Sequence, residues 1–158
     1  MKGSLRRALL RFAYAVYGLR WRLLRPVTVG VRIMLVQDGT VILIRHSYQG
    51  FWLFPGGGIK VGESLMQAGK REAREEVGAV VLDAPRLLGI YSNFAEGKSD
   101  HVALFVSEHY RLEAPTDRWE IEEWRVVALD KLPADTPVSI RRRIQEYRDG
   151  RFGSTGPW

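Results

Sequence analysis

Glu72, Glu75 and Glu76 crowd into the stretch PGGGIKVGESLMQAGKREAREEVGA, which runs from Pro55 to Ala79. On a helix, spacings of i, i+3 and i+4 put the three carboxylates in one sector. Like charges so close repel, and they destabilise an isolated helix by a few tenths of a kcal/mol per pair. Arg71 and Arg74 offset part of this, although their guanidinium groups are expected to face other sectors. A hard divalent cation offsets it better, because Mg²⁺ and Mn²⁺ favour carboxylate oxygen. Metal binding is the first chemistry these residues suggest.

The glycines before the cluster add a second element. Gly56, Gly57 and Gly58 carry no Cβ, so backbone there can come close to a ligand. The loop leads into a helix N-terminus, where unpaired N–H groups favour anions. Ser64 and Gln67 form a capping box that starts the helix, and Gly78 suits the left-handed residue that ends it. Between them, Met66, Gly69, Ala73 and Val77 are expected to form the buried stripe. A metal cluster beside a phosphate-tolerant loop points to chemistry on a phosphorylated substrate.

The full spacing is Gly57, five residues, Glu63, seven residues, then Arg71-Glu72-Ala73-Arg74-Glu75-Glu76-Val77-Gly78-Ala79. This 23-residue pattern resembles the signature of the Nudix hydrolases without a gap, with Ala73 and Ala79 where a larger aliphatic is usual. The preceding GFWLFPGG also resembles that family's approach to the signature. The resemblance implies an α/β fold of the Nudix type, an α/β/α sandwich around a mixed β-sheet. It further implies that Glu72, Glu75 and Glu76 bind Mg²⁺, or Mn²⁺, with help from a backbone carbonyl at Gly56 or Gly57. Glu63 and Arg71 would pair to hold loop against helix. Catalysis would be water attack on a pyrophosphate in a nucleoside diphosphate linked to another group: a nucleotide sugar, ADP-ribose or a triphosphate-like substrate. A box glutamate or a later acid would serve as base; Glu120 stands where such an acid often falls, with Glu122 and Glu123 as alternatives. The other readings are a nucleotide-sensing module without catalysis and an RNA 5′-end pyrophosphohydrolase.

Residues outside the signature must hold the rest of such a substrate. Arg45 could take a phosphate, Tyr48, Phe51 and Tyr91 could stack on a base, and Asn93 lies in the same stretch as Tyr91. Trp52 and Phe94 read as core packing, and His46 and His101 as structural histidines. The partner expected is therefore a nucleotide-type small molecule, and nucleic acid is not expected.

Around these residues the chain reads as three parts. Residues 1–26 form a basic amphipathic helical arm, 27–150 a Nudix hydrolase domain, and 151–158 a flexible tail with three glycines and a proline. Within the domain, VTVGVRIMLV and TVILIRH flank Asp38-Gly39, a strong hairpin signal. VVLDAPRLLGIYSNF and HVALFVSEHYRL read as two long strands, EWRVVAL as another, and SIRRRIQEYRDG as a closing helix. Leu5, Leu9, Phe12, Val16, Leu19 and Leu23 make the arm's apolar stripe. The arm could pack on its own domain or a second copy, lie on an anionic membrane surface, or contact RNA; packing ranks first.

Composition bounds the remainder. The chain has 158 residues, 46% apolar and 27% charged, enough for one enclosed core. It holds no cysteine, which excludes disulfides, thiolate metal sites and cysteine nucleophiles. That fits a reducing compartment, so a cytoplasmic location is expected, with peripheral membrane attachment through the arm as the variation. Seven of the 24 basic residues lie in the first 25 positions without an acid, which leaves 17 bases against 18 acids. The domain is close to neutral, so a uniformly basic nucleic-acid surface is excluded.

Overall fold

The computed structural model describes residues 27–94, 99–116 and 120–158, with the isolated positions Phe12 and Val16. The expected helical arm over 1–26 otherwise lies outside the described residues. Among the described residues the elements run β1 (Val27–Gln37), β2 (Thr40–His46), α1 (Leu65–Val77), β3 (Ala79–Val81), β4 (Arg86–Asn93), β5 (Ser99–Ser107), β6 (Tyr110–Leu112), β7 (Ile121–Ala128), α2 (Val138–Arg148) and β8 (Ser154–Pro157). None of these helices is long and apolar enough to cross a membrane.

The larger sheet has the order β7-β2-β1-β5-β4-β8, and β3 pairs separately with β6. The β1–β5 and β4–β8 pairings are parallel and the others antiparallel, so the sheet is mixed. The β1–β2 turn matches the expectation: Asp38 and Gly39 both take positive φ, 49° and 73°, as a two-residue hairpin turn of the right twist requires. Central strand β2 is apolar along nearly its whole length because both its faces are covered. The core gathers Ile33, Leu35, Ile42, Ile44, Phe54, Leu88 and Leu104, with Ile140 and Ile144 contributed by α2.

One departure from regularity builds the site. β1 and β2 pair only at Val36–Val41 and Gln37–Thr40, next to their turn. Beyond that they splay, and residues 53–58 fill the opening. Leu53 exchanges both backbone hydrogen bonds with Ile44, at 2.8 and 2.9 Å, while Ile33 N–H donates to Pro55 O at 2.9 Å and Val31 N–H to Gly57 O at 3.0 Å. The glycine run is thus a short inserted strand, sealed to the sheet on both sides.

Four expectations change. The two long strands after the helix are each broken, at 82–85 and at 108–109, because β3 and β6 turn away to pair with each other. Met66 is exposed and Ala68 takes its place in the stripe, with Gly69, Ala73 and Val77. Phe94 is 70% exposed, whereas Trp52 is buried as expected. The segment 151–158 is no loose tail: Ser154–Pro157 pair with β4, and Trp158 N–H continues the ladder onto Ser92 O at 2.9 Å.

Candidate active site

Helix α1 starts and stops where its caps require. Ser64 and Gln67 exchange the two bonds of the capping box, at 2.8 and 3.2 Å, and Gly78 ends the helix at φ 73°. Its buried stripe is made of small side chains, so the helix lies close on β1; a Cβ on Gly69 would come 3.4 Å from a Val31 methyl. Ala73 and Ala79 are fully buried, so alanine packs well at both positions. That approach sets the acidic edge of α1 against the inserted strand.

Glu76 is the buried member of the edge, 6% exposed, and Gly56 N–H donates to its Oε2 at 2.8 Å. Burial pushes its carboxyl up to about 8, against the pull of Arg32 and the Gly56 N–H, with Glu72 and Glu120 adding repulsion. Arg71 does not face another sector as expected. It donates to Glu63 at 2.8 and 3.0 Å, to Glu72 at 2.7 Å, to Glu75 at 2.9 Å and to Gly58 O at 2.9 Å. The Arg71 bonds hold the Glu63 carboxyl down at about 2. Lys60 approaches Glu75 at 3.5 Å.

Close approach at the glycines is to the protein itself. At Gly56, where φ is 148°, a Cβ would lie 2.1 Å from Val31 O, and at Gly57 it would lie 2.6 Å from Glu72 Oε1. Gly57 O serves the sheet through Val31 N–H, and Gly56 O accepts from Arg32 Nη1 at 3.1 Å.

These groups open into a cleft of about 860 Å³. Of the sequence candidates, Gly56, Gly57, Arg71, Glu72, Glu75, Glu76, Tyr48, Asn93 and Glu120 line it. Arg45, Phe51 and Tyr91 do not. Arg45 binds Glu123 at 2.6 Å and lies over the Trp52 ring; Phe51 is partly exposed. Tyr91 is buried with its hydroxyl donating to Glu146 at 2.8 Å. Glu122 and Glu123 sit on β7, and Glu123 is committed to Arg45 and Arg125.

Sequence reasoning passed over Arg32, Lys60, Thr28, Asp100 and Trp158, all in the cleft wall. For Arg32 there was a signal, a lone charge in the apolar run VGVRIML. It donates to Phe54 O at 2.8 Å and so braces the inserted strand. His46, also in the wall, stacks on Tyr48; burial and the nearby Arg32 hold it down at about 3, so it is neutral at working pH.

The described lining carries five carboxylates against the three cations Arg32, Lys60 and Arg71. Among the described residues, no three acidic or imidazole groups converge tightly enough to hold a metal ion as they stand. The donor chemistry nevertheless fits a hard divalent cation: carboxyl oxygens of Glu72, Glu75 and Glu76 along one helix edge, with a cation favouring the charged form of Glu76 that burial disfavours.

A mixed sheet flanked by helices, with an acidic helix edge facing a glycine strand across a cleft, defines a Nudix-type site. The NUDIX domain model matches residues 24–147, and the chain belongs to the Nudix family. It is 32% identical over 83 residues to the uncharacterized Nudix hydrolase YvcI of Bacillus subtilis, across 49% of this chain and 51% of that one. The match thus spans about half the length of that relative. It is 29% identical over 129 residues to an ADP-ribose pyrophosphatase of Methanocaldococcus jannaschii, across 77% and 76%. A crystal structure of a MutT NUDIX hydrolase from Burkholderia pseudomallei superimposes with a TM-score of 0.68 at 25% identity, covering 76% of this chain and 97% of that one.

Proposed function

We propose that this protein is a divalent-metal-dependent pyrophosphohydrolase acting on a nucleoside diphosphate linked to a second moiety. The observation that carries the reading is the convergence of Glu72, Glu75, Glu76 and Glu120 on one cleft, where carboxyl groups outnumber the cations Arg32, Lys60 and Arg71. A diphosphate is itself an anion, so it cannot enter such a cleft without cations to bridge it. Glu72, Glu75 and Glu76 would hold Mg²⁺ or Mn²⁺, which when bound neutralises phosphate charge and acidifies water.

The chain's own groups then have separate tasks. Glu76 is oriented by the Gly56 N–H, and Glu72 fits the space that Gly57 leaves open. Arg71 ties Glu63 to the box, so loop and helix keep one geometry. Lys60 and Arg32 supply fixed positive charge toward phosphate oxygens. Glu120 is the residue we assign as base, because it lines the same cleft from a different segment and can take a proton from water. His46 cannot share that task, being held neutral with so little affinity for a proton. The named activity of the M. jannaschii relative favours ADP-ribose among the substrates to try first. The lack of cysteine supports work in a reducing cytoplasm.

The test is a screen of ADP-ribose, nucleotide sugars and triphosphates with Mg²⁺ or Mn²⁺, following release of nucleoside monophosphate or phosphate. Turnover that vanishes with chelator is the expected result. Absence of turnover on every substrate with either ion would overturn the reading.

A further inference from the structure

We propose that Trp158 is the platform on which the base of the substrate stacks, and so a determinant of specificity for substrates with a planar ring at one end. The inference rests on the pyrophosphohydrolase reading for the substrate class, and on sheet register for the residue. Thr28 pairs with Asp100 across β1 and β5, and Asp100 with Asn93 across β5 and β4. Pro157 pairs with Ser92, so Trp158 stands beside Asn93 and completes the row. Residues in one cross-strand row share a face of the sheet, and all four of these line the cleft.

Trp158 sits at the end of the row far from the box. Gly58 bridges to Gly30 on β1, and four strand spacings of roughly 4.8 Å, about 19 Å in all, separate the inserted strand from the β8 ladder. That is the reach of an extended nucleoside diphosphate with its second moiety. The two ends also differ in chemistry. Lys60, Arg71 and Arg32 cluster at the box, whereas the row offers a hydroxyl, an amide, a carboxylate and an indole. Asp100, which accepts from Thr28 at 2.6 Å, repels phosphate and suits ribose hydroxyls or a base amino group. The polarity of the cleft therefore places phosphates at the box and the ring at Trp158.

The indole is held in place. It meets the buried Tyr91 ring edge-on at 5.9 Å, and Arg143 donates to Pro157 O at 3.2 Å, fixing the residue before it. A half-buried, anchored indole facing a polar cleft can offer a ring face at little entropic cost.

Calorimetric titration of the whole chain with nucleoside monophosphates and with ribose 5-phosphate, in the presence of Mg²⁺, isolates the contribution of the base. Stacking on an aromatic side chain corresponds to a preference of roughly fivefold to a hundredfold. The wild type is expected to prefer the nucleotides by that factor. W158L keeps apolar bulk for β8 packing and should lose the preference, while W158F should keep most of it. A wild type without preference, W158L with the full preference, or W158F as deficient as W158L would each overturn the proposal. The measurement reads binding and not cleavage. Base preference lost in W158L from a protein that cleaves no diphosphate would sink the enzymatic reading alone; cleavage with an unchanged base preference would sink the platform alone.

Discussion

Among the described residues two glutamates lie buried, each on a helix, and their surroundings differ in kind. Glu146 on α2 is 8% exposed and fully partnered: Arg143 meets it at 3.0 Å, the Tyr91 hydroxyl at 2.8 Å, and the Arg143 guanidinium lies over the Tyr91 ring. Glu76 on α1 is 6% exposed, and its carboxyl accepts one backbone N–H, that of Gly56 at 2.8 Å, with Glu72 and Glu120 repelling it. A buried ion pair joined by hydrogen bonds serves structure; a buried acid whose charged form lacks a paired cation is a candidate for a ligand from outside. The difference separates a clamp from a site.

The sharpest way to break that comparison is Glu76→Gln. The amide keeps an acceptor for Gly56 N–H, so the fold should persist, and in metal-free buffer the melting temperature should rise because a repelled acid is gone. Turnover should fall at least a hundredfold, beyond the ten- to hundredfold loss typical of residues that merely support a metal ligand. Activity within tenfold of wild type would show that Glu76 is structural after all.

Glu146→Gln is the mirror experiment. It leaves the Arg143 charge buried with a neutral partner, and breaking a buried pair costs about 3 kcal/mol or more. Urea unfolding should show a loss near that size. A loss under about 1 kcal/mol would mean that water or relaxation satisfies Arg143 and that the clamp is ornamental.

How much of this was legible in the chain depends on the range of the interactions. The caps at Ser64 and Gly78, the Asp38-Gly39 turn and the acidic edge of α1 are set by neighbours within a few residues, and the sequence displays them directly. The inserted strand, the turn of Arg71 toward Glu72 and Glu75, and the row ending at Trp158 arise from pairings across the fold. RFGSTGPW has the composition of a loop because glycine and proline rarely make strands by themselves; β4 supplies the ladder that makes one here. Tyr91 shows the same limit, since only the completed sheet decides which face of β4 is covered.

His46 sharpens the comparison through its response to pH. Folded, it resists protonation down to about 3, whereas the unfolded chain takes the proton near 6.5. Stability should therefore fall as pH drops below 6.5. Glu76 works in the opposite direction: raised to about 8, it holds a proton that the unfolded chain has lost above about 4.5, so it favours the folded state as pH falls. The two nearly cancel between pH 6.5 and 5 in the metal-free wild type, and Glu76→Gln exposes the histidine. In that background the same pH drop should cost about 2 kcal/mol, and adding His46→Gln should flatten the profile. Glu63 adds its own acid loss only below about 4.5, outside this window. Equal slopes with and without His46 would dismiss the account.

Arg45 gives the smallest effect and tests where the site ends. As an isolated side chain at a strand end it looked fit for a phosphate. In the fold it binds Glu123 at 2.6 Å, approaches Asp135 at 3.7 Å and covers Trp52, outside the cleft wall. Its charge is already spent on neighbours, so Arg45→Ala should cost about 1 kcal/mol of stability from the lost ion pair and ring contact. KM for the best substrate should move by less than twofold. A rise of tenfold or more, with folding intact, would extend the cleft past Trp52 and move the phosphate contacts away from Lys60 and Arg32.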